Sequence, residues 1–134
     1  MSLQIRPYVA EDYETLASWW KSHGWEPVRA DILPRLGVVA ELDGKAIGAA
    51  FLYMDNSVGV CWMEWLVTAP QAGLTGIRAI RAITDFLSAE AKRRDYGVMI
   101  TSCRQEALVR VYEKAGFIKT DVGVTHLIKI TGGN

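Results

Sequence analysis

The part of this chain that most limits its fold runs from Val58 to Thr101. An apolar stretch from Val58 to Thr68, rich in Val, Trp and Leu, carries one charge, Glu64, between Val58 and Val67. A loop follows from Ala69 to Thr75, and then an amphipathic stretch from Gly76 to about Arg94. Its apolar positions Ile77, Ile80, Thr84, Leu87 and Ala91 recur at helical spacing, with Ile83 beside them. Gly97 to Thr101 closes the unit as a short strand. Strand, helix and strand in that order imply a right-handed parallel crossover. The first strand of the pair reads as buried on both faces.

The flanking segments read as one continuous pattern, with no repeat or linker dividing residues 1–134, so a single domain is expected. Leu3 to Pro7 is a short strand. Ala10-Glu11-Asp12 opens a helix to about Ser22, with acidic residues in its first turn and Gly24 beyond its end. Asp31 to Arg35 holds one further turn. Gly37 to Leu42 and Lys45 to Tyr53 flank Asp43-Gly44, a hairpin signal. Gln105 to Ala115 is a second amphipathic helix with Leu108, Val111, Tyr112 and Ala115 on its stripe, and Gly116 stands where a left-handed C′ residue belongs. Phe117 to Asp121 and Gly123 to Ile130 read as two last strands. Helices alternating with strands predict a mixed sheet covered on both faces.

Composition removes several classes of function. Half the residues are hydrophobic, which fills a core and excludes wholesale disorder. Lys plus Arg and Asp plus Glu are 15 each, and this balance argues against a dedicated nucleic-acid coat or polybasic membrane binder. Cys61 and Cys103 have no metal-ligand spacing and are too few for a disulfide scaffold, so no metal and reduced thiols are expected. Met1 to Pro7 lacks the pattern of a secretory leader, and nothing reaches the ~20 apolar residues of a membrane span. A cytoplasmic protein is the expectation.

Three features could carry chemistry. The first is the loop into the long helix. The first amides of a helix lack internal partners and sit at the positive end of its dipole, so an anion, above all a phosphate, is a natural guest. Gly73 and Gly76 would let it approach closely. Arg78 and Arg81 lie in the first turns, where a bound anion would explain them and ordinary solvation would serve as well. The loop is neither a Walker loop nor a dinucleotide fingerprint. The second feature is Glu64: burial would push its pKa up towards the range of a general base, whereas a place at the sheet surface or beside a cation would not. The third is Tyr112, on an apolar stripe where a core tyrosine is the commoner case. His23 and His126 have no clustered partners in sequence, and Cys103 has no neighbouring base to activate it. Trp19, Trp20 and Trp25 either fill a core or line a pocket.

Taken together, three stretches resemble the GNAT superfamily of acyl-CoA-dependent N-acyltransferases. They are Arg6-Pro7 followed by Ala10-Glu11-Asp12 and a helix; Glu64-Trp65-Leu66-Val67-Thr68-Ala69-Pro70; and Gln105 to Phe117, whose Tyr-Glu-Lys-x-Gly-Phe ending is the most specific piece. The likeness extends from Leu3 to Ile130. It implies an α/β (α+β) fold with a mixed, mostly antiparallel sheet of 6–7 strands, helices on both faces, and fourth and fifth strands that splay apart around the pantetheine arm of acetyl-CoA. It implies that backbone groups of Leu66, Val67 and Thr68 bond that arm. The amides of Gly73, Leu74, Thr75, Gly76, Ile77 and Arg78 would hold the pyrophosphate, with Gln105 against the pantetheine. It further implies Glu64 as general base and Tyr112 as the acid that protonates the leaving thiolate, in direct transfer to a primary amine of a small molecule or peptide.

The loop departs from the family pattern: Gln71 is followed by Gly73, Leu74 and Gly76, with Leu74 where a glycine is usual. That departure motivates an alternative, a non-catalytic acyl-CoA-binding or protein-interaction module on the same fold. A second alternative puts the acceptor amine on nucleic acid. Arg78, Arg81, Lys92, Arg93 and Arg94 on one helix speak for it, and the zero net charge speaks against it. The plentiful Trp and Val are compatible with a homodimer without specifying one.

Overall fold

A computed structural model describes residues 2–132. Strand β1 spans Leu3–Pro7. A 3₁₀ turn at Ala10–Asp12 leads into helix α1, Tyr13–Ser22, and a second turn lies at Ala30–Ile32. Then come β2 (Gly37–Leu42), β3 (Lys45–Met54), β4 (Val60–Thr68), α2 (Gly73–Arg93), β5 (Val98–Ile100) and α3 (Glu106–Lys114). The sheet order is β1-β2-β3-β4-β5. The first four strands are antiparallel neighbours, and β4 and β5, joined by α2, are parallel. No described helix is long and apolar enough to cross a membrane.

Local chemistry explains the frame. Asp43 (φ 50°) and Gly44 (φ 83°) both take the left-handed conformation that a two-residue hairpin of matching twist requires. Arg6 on β1 fixes the entry to α1. Its guanidinium donates to both carboxylate oxygens of Asp12, at 2.9 and 2.8 Å, and to Glu41 of β2 at 2.7 Å. Asp12 in turn accepts from the Val9 amide. On one face of the sheet Leu16, Trp19 and Trp20 of α1 pack on Val39, Ala49, Phe51 and Val67. On the other, Ala79, Ile83, Leu87 and Ala91 of α2, with Tyr112 of α3, cover Val38, Ala50, Leu52, Cys61 and Met63. The helices therefore cover both faces of a mixed sheet, as the fold class expected from sequence requires.

The structure corrects four details. The sheet has five strands rather than six or seven, because Phe117–Asp121 and Gly123–Ile130 form no strand. Only Val122 separates those two runs, fewer than the two residues of the tightest common hairpins, and no hydrogen bond among the described residues involves 118–132. Strand β4 starts at Val60 and alternates in burial instead of being covered on both faces, because its second half faces a cleft. Helix α2 begins at Gly73, a turn earlier than expected. Its buried line is Gly76, Ala79, Ile83, Thr84, Leu87 and Ala91, while Ile77 is exposed. Gly76 and Ala79 are small enough to seat the helix on the sheet, which turns Ile77 and Ile80 towards the cleft.

Candidate active site

The site begins where two strands part. Strands β4 and β5 pair at Val60 with Val98, Cys61 with Met99 and Trp62 with Ile100, and no further. The last tie is a side chain: Thr101 Oγ1 donates to the Met63 carbonyl at 2.7 Å. Beyond it β4 continues to Thr68 with its β5 side open. The opening has a local cause. The register of β4 on β3 shifts between Ala49 and Phe51, which face Val67 and Glu64, so β4 carries one extra residue there. Trp65 sits in this bulge at φ +60°, a strained conformation for a non-glycine residue. Its indole holds it in place by donating to Tyr53 Oη at 2.8 Å, and Tyr53 donates to the Ile32 carbonyl at 2.6 Å.

Past the bulge, the Ala69 amide bonds to Ile47 of β3. Backbone groups alternate along a strand, so Val67 faces β3, and Leu66 and Thr68 present their amides and carbonyls to the gap. The gap is a narrow cleft of about 180 Å³ walled by Leu66, Val67, Thr68, Ile77, Ile80, Gln105, Leu108 and Val111. Apolar walls with a few backbone donors and acceptors suit a thin, partly polar chain. Of the residues singled out in sequence, Leu66, Val67, Thr68, Ile77 and Gln105 thus meet in one place. Two more line it that sequence reasoning did not connect with the site or left undecided. His23 Nε2 donates to the Thr68 carbonyl at 2.9 Å, and its ring stacks on Trp25 with centroids 4.9 Å apart. The turn at Gly24 that ends α1 carries both, a placement no spacing in the sequence announces.

At the far end of β4 the loop delivers α2. Gln71 (φ 62°) and Gly73 (φ 58°) are both left-handed. The Gly76 amide already bonds to the Ala72 carbonyl, so Gly73, Leu74 and Thr75 are the free donors, and Ile77 and Arg78 fall within the helical ladder. Gly76 matters through contact. A Cβ there would stand 2.9 Å from that of Ala72 and 3.7 Å from that of Thr68, so the missing side chain lets α2 close on the end of β4. No acidic residue stands in the first turn to compete for an anion.

Glu64 lies at the bulge, half-buried, and burial raises its carboxyl above the ordinary glutamate value while nearby His126 pulls it down. Tyr112 lies on α3, buried, with its phenol pushed well up, first by burial and then by the charges of Cys103 and Glu64, while the nearby Thr101 hydroxyl pulls it down. It is therefore a neutral hydroxyl at physiological pH. The helix ending places it: the Phe117 amide bonds to the Tyr112 carbonyl, the Gly116 amide bonds to that of Glu113, Gly116 sits at φ +104°, and the two rings lie 5.3 Å apart. The Tyr-Glu-Lys-x-Gly-Phe sequence is thus a helix stop that locks the tyrosine ring against Phe117. The Cys103 thiol, also raised by burial, is not an activated nucleophile. Among the described residues no group of three His, Cys, Asp or Glu could hold a metal ion. A larger open depression of about 530 Å³ lies elsewhere, between Tyr8, Glu11, Glu14 and Arg35, and contains none of the catalytic or cofactor-binding candidates named from sequence.

The family model described as "Acetyltransferase (GNAT) family" matches residues 5–117. No curated protein sequence gives a significant match. Solved structures share the fold. A Trypanosoma brucei acetyltransferase superposes with a TM-score of 0.72 at 18% identity over 95% of this chain and 100% of that one. Glucosamine-6-phosphate N-acetyltransferase from Arabidopsis thaliana gives 0.66 at 15% identity over 96% and 100%. The N-acetylglutamate synthase of Neisseria gonorrhoeae, solved with coenzyme A and N-acetyl-glutamate, gives 0.61 at 18% identity over 84% of this chain and 28% of that one.

Proposed function

The chain belongs to the acetyltransferase (GNAT) family, and from that premise we propose that it moves an acetyl group from acetyl-CoA to the nitrogen of a primary amine by direct attack within a ternary complex. The observation that carries the reading is the parting of β4 and β5 after Trp62 and Ile100, with Glu64 on β4 close enough for its charge to act on the Tyr112 phenol. The residues present fit a pantetheine arm and a pyrophosphate: Leu66 and Thr68 turn backbone amides and carbonyls to the gap, and Gly73, Leu74 and Thr75 offer free amides at the start of α2. Gln105 closes the other wall. In occupying the cleft the arm would displace the His23 ring from the Thr68 carbonyl or share that carbonyl with it.

Acetyl-CoA supplies an activated thioester. The protein must do the rest. An amine is mostly protonated at neutral pH and attacks only after losing that proton, and a half-buried carboxylate with a raised pKa is suited to take it, directly or through water. Glu64 accepts the proton, the nitrogen forms its bond to the acetyl carbon, the carbon–sulfur bond breaks, and the Tyr112 hydroxyl gives its proton to the departing sulfur. No covalent intermediate on the protein is needed, which agrees with the uncharged Cys103 thiol.

The acceptor is an amine on a small molecule or peptide. The nucleic-acid alternative loses some support from the pairing within α2: Arg81 is bound to Asp85, and Arg93 and Arg94 share Glu90, so two carboxylates offset part of the charge of the five cations. We take residues 1–134 as one domain, supported by the single sheet, and place it in the cytoplasm, supported by the two free cysteines. The test is release of free thiol from acetyl-CoA with a panel of amines. Release that is lost in Glu64→Gln and reduced in Tyr112→Phe supports the assignment, and release unchanged in both variants overturns it.

A further inference from the structure

We propose that the acceptor is a primary amine joined by a short alkyl spacer to an aromatic ring, and that Tyr53, Trp62 and Trp65 form the floor on which that ring lies. The inference rests on the acetyl-transfer reading and goes further by naming the body of the acceptor. It starts from the face of the sheet that the base occupies. Cross-strand partners project from the same face, and neighbours along a strand from opposite faces. Glu64 is paired with Phe51, which belongs to the core under α1. Cys61 and Met63, with Leu52, belong to the core under α2 and point the other way. Trp62 and Glu64 therefore project together from the α1 face, roughly 6.6 Å apart along the strand at about 3.3 Å per residue. Tyr53 is the cross-strand partner of Trp62 and stands beside it on that face. Trp65 joins them from the bulge. It packs against the core under α1, and its indole donates to Tyr53 Oη at 2.8 Å.

Three aromatic side chains thus flank one carboxylate, and core packing does not account for them. Helix α1 covers Val39, Ala49, Phe51 and Val67, whereas Tyr53 and Trp62 belong to neither core cluster. All three rings are half-buried, and Ile100, beside Trp62 on β5, is 40% exposed. The floor is also rigid, because the chain from Trp65 through Tyr53 ends on the Ile32 carbonyl. Aromatic faces held in place next to a base suit a flat ring, which gains from stacking as well as from leaving water. The charges weigh against a polar or multiply charged body. The carboxylates bordering this face are already engaged, Asp31 by Arg29, and Asp55 by Ser57 and the Val58 amide. Neither is free to hold a second ammonium while Glu64 takes the proton of the reacting nitrogen. With the ring on the floor, the nitrogen bonds to the acetyl carbon and the carbon–sulfur bond breaks. The amine proton goes to Glu64, the thiol leaves protonated, and the product is the N-acetyl amide of the arylalkylamine.

Two measurements on the full chain test this. With acetyl-CoA, thiol release from phenethylamine should exceed that from ethanolamine by about 10- to 100-fold in kcat/KM, the gain from covering one aromatic side chain. With coenzyme A, which allows no transfer, phenethylamine should change the tryptophan fluorescence saturably, and ethanolamine at the same concentration should not. Trp62→Leu keeps an apolar residue on the strand. It should lower the preference by about 3- to 10-fold, mainly through KM for phenethylamine, and Trp62→Phe should restore most of it. Equal kcat/KM for the two amines, a fluorescence response to both alike or to neither, or a preference unchanged in a folded Trp62→Leu overturns the proposal. No thiol release from any amine, with the fluorescence response to phenethylamine intact, overturns the acetyl-transfer reading while the ring-binding floor stands.

Discussion

The Thr101 hydroxyl is bonded to the Met63 carbonyl at 2.7 Å, and this single side-chain link stands at the point where β4 and β5 cease to be neighbours. It holds the apex of the cleft, and the same hydroxyl pulls the buried Tyr112 phenol down. Thr101→Val keeps the shape and removes the link. The expected result is a loss of about 1 kcal/mol in stability, from denaturant melts, together with a raised KM for acetyl-CoA as the apex loosens.

Glu64 offers a sharper dissociation of stability from activity. Its carboxyl pKa is raised by burial, so the folded protein holds this proton more tightly than the unfolded chain. The ionised group therefore works against folding, and its cost grows as pH rises from the ordinary glutamate value through the folded one. Glu64→Gln removes that cost. Thermal melts at neutral pH should show the variant no less stable than the parent, while the rate of thiol release falls by about 10²-fold or more. In the parent, the rate should climb with pH with a midpoint above the ordinary ~4.3 of glutamate.

Tyr112→Phe removes a hydroxyl whose burial keeps it protonated. A donor to the leaving sulfur is worth on the order of 10²-fold in rate. Initial-rate kinetics should place the loss in kcat, with KM for acetyl-CoA little changed. The Phe117 contact preserves the ring position.

The Arg6 network predicts an acid-sensitive fold. Arg6 donates to Asp12 and Glu41 with its side chain 32% exposed. The hydrogen bond from Arg6 holds the Asp12 carboxyl below the usual range, so its contribution is present above the unfolded value and is lost as pH falls through the folded one. Arg6→Met should cost about 1–2 kcal/mol at pH 7, the partial exposure lowering the figure for a charged hydrogen bond. It should also flatten the acid side of the stability curve measured by urea midpoints.

Much of this was readable in the sequence, for physical reasons. Asp43-Gly44 is a signal carried by two neighbouring residues, and Gly37–Leu42 formed with the expected bounds because nothing distant competes with it. The Tyr112 to Phe117 helix ending is equally local, every bond of it lying within six residues. What the sequence hid depends on distant partners. Ile77 fits the helical period and yet faces the cleft, because Gly76 and Ala79 rather than period alone decide which side of α2 meets the sheet. The left-handed Trp65, the His23 bond to Thr68 and the Thr101 bond to Met63 each join segments far apart in the chain or break a local preference. The run 117–130 has strand composition, but a strand exists only against a neighbour, and the described chain supplies none.

The central claim is that the gap between β4 and β5 receives acetyl-CoA, and residue-level amide exchange with and without saturating acetyl-CoA tests it most directly. The account predicts slowed exchange at Leu66 and Thr68 on β4 and at Gly73, Leu74 and Thr75 at the start of α2, with the β1–β2 ladder unchanged. Exchange at all five of those amides that stays the same at millimolar acetyl-CoA would contradict it.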